Sequence, residues 1–281
     1  MTPHPSKNPR PRSREAPLGG LVLALDTSMR EGSAAIGARV GEEDGRIEVL
    51  ARVAIRAREE QAALLIPRIE ELLEEAGADV DELSGIVVGA GPGSFTGVRV
   101  GAATAKGLAR ALGVPLWTFS SLAAAAAEDG SGRLGRERFS LPPEDFEDLL
   151  VSDFDTLRPR FVLFDARGNR VYAAAYRLAE SGFETLMEPC ATDLSEVLAG
   201  LIPPAAILMG DGALRHRAIL ESAGHPVLPP PFGRPTADGL IRLLSLAPGT
   251  PPLKAPGTWE PNYLRPSGAE RIRAQEREDR S

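Results

Sequence analysis

A chain of 281 residues, 43% hydrophobic and 25% charged, is long enough to bury a sizeable core and suits two domains of ordinary size. Its formal net charge of -7 argues against a freestanding nucleic-acid binder, which carries a basic surface to neutralise phosphates. The single Cys190 excludes an intramolecular disulfide framework and a cysteine zinc cluster and fits a reducing cytoplasm, and no apolar run approaches the ~20 residues that span a bilayer.

Residues 1–18 are proline-rich and basic without an apolar segment, so they read as a disordered tail and not as a secretory signal. Three strand candidates follow at 21–25, 33–38 and 47–55, separated by hairpin-like turn residues. An amphipathic helix is predicted over 58–76, with Leu64, Leu65, Ile69, Leu72 and Leu73 near helical spacing and Gly77 as its stop. The other side of that helix is acidic and reads as a solvated face. Next come a buried strand at 85–88, a glycine-dense turn, a helix over 96–112, a short strand at 115–119 and an alanine-rich helix over 120–128 capped by Ser120 or Ser121. The order is βββαβαβα.

Residues 129–159 are rich in charge, glycine and proline and read as an insertion or linker. The first order then repeats. Strands are predicted at 161–165, 171–176 and 183–187, a short helix at 193–199, a strand at 205–209, a helix over 213–223, an edge strand at 226–228 and a helix over 237–246. The predicted organisation is therefore two subdomains, 19–128 and 160–265, with a charged tail at 266–281. Two βββαβαβα halves are not the strict βα alternation of a doubly wound nucleotide fold. They resemble the duplicated α/β fold of actin, Hsp70 and hexokinase (ASKHA), which holds a nucleotide between its halves. By that resemblance the acidic hairpin turns are Asp26, Thr27, Ser28 and Asp165, Ala166, Arg167, and Gly210, Asp211, Gly212 lie at the adenosine side of a relic cleft.

The turn after the 85–88 strand reads GPGSFTGVR over 91–99. Its backbone N–H groups could cradle an anion at a helix start, but it lacks the lysine and spacing of a Walker A loop and does not fit GxGxxG. Gly97, Gly101 and Gly107 inside the following helix cost about 1 kcal/mol each against alanine, which close packing must offset. A seam at Gly97, Gly101 and Ala105 would provide it, against this domain's own backbone or across a subunit interface. Asp26 with Thr27 and Ser28 could hold a metal-bound water and a phosphate, or form a plain hairpin turn. The histidines, His4, His216 and His225, form no HExxH or HxxxH pair, and no GxSxG elbow accompanies them, so a zinc site and a Ser/His/Asp hydrolase are both poor fits.

Four blocks carry a resemblance to a known family: LALDTSMREGSAAIG (23–37), GAGPGSFTGVRVGAATAKGLARALGVPL (89–116), FDARGNRVYAAAY (164–176) and EPNYLR (260–265). With them the chain resembles the TsaB (YeaZ) family. That resemblance implies a noncatalytic partner of TsaD, the subunit that transfers a threonylcarbamoyl group to adenosine of transfer RNA, with the nucleotide-hydrolysing TsaE as a third component. It implies a cytoplasmic protein that reaches transfer RNA only through the complex and needs no cofactor of its own, ATP or ADP and magnesium acting elsewhere in the assembly. It also implies that the 58–76 and 96–112 helices form the interface, with TsaD or in a homodimer, through Leu64, Leu65, Ile69, Gly97, Val98, Arg99, Gly101 and Ala105. The catalytic relative binds metal through an HxxxH pair in the first of these helices, which here contains no histidine. The 128–159 stretch departs from the family pattern, as do Glu60 and Gln61 where relatives often carry histidine. The rival reading is a phosphotransferase or ATPase of the same fold with Asp26 and Asp165 around magnesium and ATP.

Overall fold

The computed structural model describes residues 20–40, 46–55, 61–128, 158–179 and 182–264. The predicted tails at 1–18 and 266–281, and all of the 129–159 insertion but its last two residues, lie outside them.

β1 (Leu21–Asp26) is the axis of the first sheet, pairing antiparallel with β2 (Gly32–Arg39) and parallel with β4 (Leu83–Gly89). β3 (Ile47–Ile55) and β5 (Leu116–Phe119) close its edges, giving the order β3-β2-β1-β4-β5. Every residue of β1 is buried, because both faces of a central strand are covered and alternate side chains enter two different cores. Leu21, Leu23 and Leu25 point to an outer core with α1 (Gln61–Ala76) and α2 (Phe95–Leu112). Val22 and Ala24 point to an inner core.

The second sheet repeats this order as β8-β7-β6-β9, from β6 (Arg160–Asp165), β7 (Arg170–Ala179), β8 (Gly182–Asp193) and β9 (Ile207–Met209). A lone parallel bridge between Leu208 and Val227 occupies the place of its fifth strand. Phe161 and Leu163 of β6 enter a second outer core, with Val162 and Phe164 turned to the inner one. The inner core is thus shared by both sheets, with α3 (Ser121–Ala127) and the last helix, Ala237–Leu246, between them.

Three departures from the sequence reading have local causes. β8 runs past the predicted end at residue 187 and through Pro189, because it is an edge strand with a register shift there and the missing N–H interrupts no interior ladder. The helix predicted over 213–223 divides at His216 (φ -106, ψ 17) into α5 (Asp211–Arg215) and α6 (Arg217–Ser222), α4 being the single turn Leu194–Glu196. The last helix, α7 (Ala237–Leu246), belongs by sequence to the second half but packs on the first sheet. Ala237 N–H donates to Ser33 Oγ (2.8 Å), Ile47 N–H donates to Ser245 Oγ (3.1 Å), and Arg52 pairs with Asp238 (3.2 Å).

The chain after α7 also returns to the first half. Trp117 Nε1 donates to Thr250 O (2.9 Å), Leu253 N–H to Leu116 O (2.8 Å), Lys106 Nζ to Trp259 O (2.9 Å) and Asn262 N–H to Ala90 O (2.9 Å). Residues 250–264 therefore form a strap along β5 and α2.

Candidate functional site around the first hairpin turn and helix α2

Asp26 ends β1 and is 1% exposed. Its Oδ1 accepts from Ser28 N–H (2.9 Å) and Ser28 Oγ (2.6 Å), and its Oδ2 from Ser121 Oγ (2.7 Å). Ser121 Oγ in turn accepts from Gly91 N–H (3.2 Å). One carboxylate thus ties the hairpin turn to the first turn of α3 and to the glycine loop. Burial pushes the carboxyl above its ordinary value of 3.8, and the hydrogen bonds from Ser28 and Ser121 pull it partly back. Both oxygens are engaged by protein donors, an arrangement that holds the turn, α3 and the loop together.

The glycine loop lies directly on the turn. A Cβ at Gly93 would stand 2.3 Å from Ser28 O, and Ser94 N–H donates to that same oxygen at 2.6 Å. The Ser94 N–H, one of the loop's amides, is spent on the chain's own carbonyl. Ser94 Oγ then accepts from Gly97 N–H (3.3 Å) and caps α2.

Thr27 explains two of the three helical glycines. Its Oγ1 donates to Gly97 O (2.7 Å) and accepts from Gly101 N–H (3.1 Å), the two groups that one rung of an uninterrupted helix would join. A Cβ at Gly97 would lie 2.1 Å from Thr27 O, and one at Gly101 2.4 Å from Thr27 Oγ1. Their propensity cost of about 1 kcal/mol each is therefore offset inside the subunit, by burial and two hydrogen bonds. Gly107 differs: it is exposed, and a Cβ there would meet nothing within 4 Å.

Burial divides the residues expected at the interface. Leu65, Ile69, Gly97, Val98, Gly101 and Ala105 are buried against the first sheet and its turn, and Leu64 is partly buried; only Arg99 of the expected set is exposed. The physical reason is that a helix lying on a sheet gives its apolar or closest-packing stripe to that sheet, leaving a partner the opposite face. The exposed faces carry Ala63, Ile66, Pro67 and Glu70 on α1, and Arg99, Ala103, Gly107 and Ala111 on α2. Periodicity alone could have placed these residues, since each set recurs at three- or four-residue spacing opposite the buried stripe.

The second half repeats the turn in a more open form. Asp165 Oδ1 accepts from Arg167 N–H (2.8 Å), as Asp26 does from Ser28 N–H two residues on. Its Oδ2 pairs with Arg215 (2.7 Å), and Asp211 Oδ1 accepts from Asp165 N–H (3.0 Å). Gly210 and Gly212 let the β9–α5 turn lie on the end of β6, where Cβ atoms would stand 2.3 Å from Leu163 O and 2.8 Å from the Phe164 carbonyl carbon. Asp165 and Asp211 are thus brought together, whereas Asp26 belongs to its own network. Among the described residues no group of three His, Cys, Asp or Glu side chains is placed to hold a metal ion. No described helix is long and apolar enough to cross a membrane.

Comparison with known proteins bears on what this arrangement serves. The family model described as TsaD, tRNA N6-adenosine threonylcarbamoyltransferase, matches residues 52–135. The tRNA threonylcarbamoyladenosine biosynthesis protein TsaB of Bacillus subtilis is 30% identical over 203 residues, covering 71% of this chain and 75% of the relative. The chain belongs to the TsaB family. The protein of the same name from Haemophilus influenzae is 38% identical over 105 residues, 37% of this chain and 41% of its own. Among solved structures, a Pseudomonas aeruginosa protein described as similar to peptidase YeaZ superposes with a TM-score of 0.64 at 25% identity, covering 88% of this chain and all of that one. The two mixed sheets of equivalent strand order, with helices alternating between them, make this the two-subdomain fold of the actin and Hsp70 type.

Proposed function

We propose that this chain is the noncatalytic partner subunit of the machinery that adds a threonylcarbamoyl group to adenosine of transfer RNA, docking on the catalytic TsaD subunit through the exposed ridges of α1 and α2. Membership of the TsaB family gives the reaction class. The observation that carries the docking surface is Gly107, a helical glycine whose open face no described residue approaches within 4 Å of a built Cβ. A partner backbone approaching there would offset its cost of about 1 kcal/mol. Ala103 and Ala111 keep that approach clear on either side, and Ile66 on α1, 44% exposed, offers an apolar contact. TsaE and transfer RNA join through the complex, and a second copy of the chain takes the ridge when TsaD is absent. In this reading the subunit itself needs no nucleotide, which is supported by Ser28 and Ser121 holding the Asp26 carboxylate and by Ser28 O accepting from the Ser94 amide.

Size-exclusion chromatography with the TsaD of the same organism tests the surface. Gly107→Trp is expected to abolish co-elution while leaving the free subunit folded, whereas Gly101→Trp, which meets Thr27, disrupts folding itself. Unchanged co-elution of Gly107→Trp would remove this ridge from the interface.

A further inference from the structure

Arg99 is exposed, yet its guanidinium is held from two sides. Its carbon lies 3.8 Å from the centroid of the Phe95 ring, one helical turn earlier, and its Nε donates to Tyr263 Oη at 3.0 Å. The Tyr263 ring stands 5.4 Å from the same guanidinium and 5.1 Å from the Phe95 ring, tilted by 46°. Tyr263 arrives on the strap, whose backbone is fixed one residue earlier by Asn262 N–H to Ala90 O. A long side chain on a helix surface ordinarily loses rotamer entropy when it binds; here much of that ordering is already in place.

No carboxylate among the described residues pairs with Arg99. With Nε committed to Tyr263, the two terminal nitrogens remain, the edge that accepts a carboxylate through two parallel hydrogen bonds. Arg99 also precedes Ala103 and Gly107 at four-residue spacing, so it stands at one end of the exposed ridge.

We infer that Arg99 is the charged anchor of the docking ridge, preset by Phe95 and Tyr263 to receive an Asp or Glu side chain of the partner subunit. The inference rests on the docking reading given above. A protein carboxylate fits better than a nucleic-acid phosphate, because the chain's net charge of -7 opposes close approach of RNA and the ridge of small residues admits a helix. Arginine and tyrosine are also among the residue types that dominate protein interfaces. It follows that the strap belongs to the interface: its Tyr263 orients the residue that meets the partner.

Calorimetric titration of the full-length chain with the purified catalytic subunit of the same organism tests this. Arg99→Gln is expected to raise Kd by about 10- to 100-fold with an unchanged melting temperature for the free protein. Arg99→Lys restores little of the affinity, since an ammonium cannot make the paired contact, and Tyr263→Phe, which keeps the ring and removes the hydroxyl, weakens binding by roughly 3- to 10-fold. Normal affinity of Arg99→Gln where Gly107→Trp abolishes binding would overturn this inference and leave the docking reading standing. Normal affinity of both variants would overturn the docking reading and this inference with it. A fall in affinity matched by a fall in melting temperature would make the cluster a fastener of the strap alone. Intact subunit affinity with loss of transfer-RNA binding by the complex would assign Arg99 to phosphate instead.

Discussion

The Thr27 hydroxyl does the work of a backbone partner. It links the end of β1 to the first turns of α2, so its removal leaves a buried carbonyl and a buried N–H to find each other across a wedge. Thr27→Val, which keeps the shape, is expected to lower unfolding free energy by about 1–3 kcal/mol in urea denaturation, and Thr27→Ser by about 1 kcal/mol or less. A larger loss for Thr27→Ser than for Thr27→Val would show that the methyl matters and the hydroxyl does not. Asp26 makes a second prediction with a definite sign. A carboxyl raised by burial binds its proton more tightly in the folded state. Its stabilising contribution is therefore full below 3.8 and is lost as pH rises through the folded value. Relative to wild type, Asp26→Asn is expected to gain stability as pH increases across that window, and parallel stability curves for the two proteins would contradict it.

At the scale of elements, α2 separates its glycines by purpose. Gly107→Ala is expected to stabilise the free subunit by roughly 0.5–1 kcal/mol in thermal or urea unfolding, because the added methyl meets nothing and the unfolded chain loses freedom. Gly97→Ala is expected to destabilise it, since the methyl would meet Thr27 O. Reversed signs would mean that α2 sits differently on the sheet. The sequence alone brought out the existence of α2 and the fact that its glycines need close packing, whereas the Ser94 cap and the Gly113 stop emerge from the structure. Which neighbour each glycine meets was not legible, because that depends on how the 26–28 turn lies over the helix start, a contact some 70 residues away in the chain. Tyr263 was hidden for a similar reason. EPNYLR stands out as a motif, but nothing local indicates that its ring crosses to Arg99.

For the whole molecule, the halves exchange their final helices. α3 of the first half borders the second sheet in the inner core, and α7 of the second half covers the first sheet, with the strap continuing along β5 and α2. Gly239 of α7 lies so close to α3 that a Cβ there would stand 2.2 Å from Ala124 O. A fragment ending at residue 128 thus lacks the cover for one face of its sheet and is expected to aggregate or remain unfolded, read by circular dichroism and gel filtration. A cooperatively folded fragment would contradict that interdependence. The duplication was legible in the repeated βββαβαβα order; the exchange was not, since helix order does not say which sheet a helix covers.

The central claim, that this subunit supports threonylcarbamoylation of transfer RNA by docking its α1–α2 ridge, is tested most directly in cells depleted of it. Mass spectrometry of bulk transfer RNA is expected to show a fall in threonylcarbamoyladenosine, restored by the wild-type chain and not by Gly107→Trp at equal abundance. An unchanged level on depletion, or full restoration by Gly107→Trp, would contradict the account.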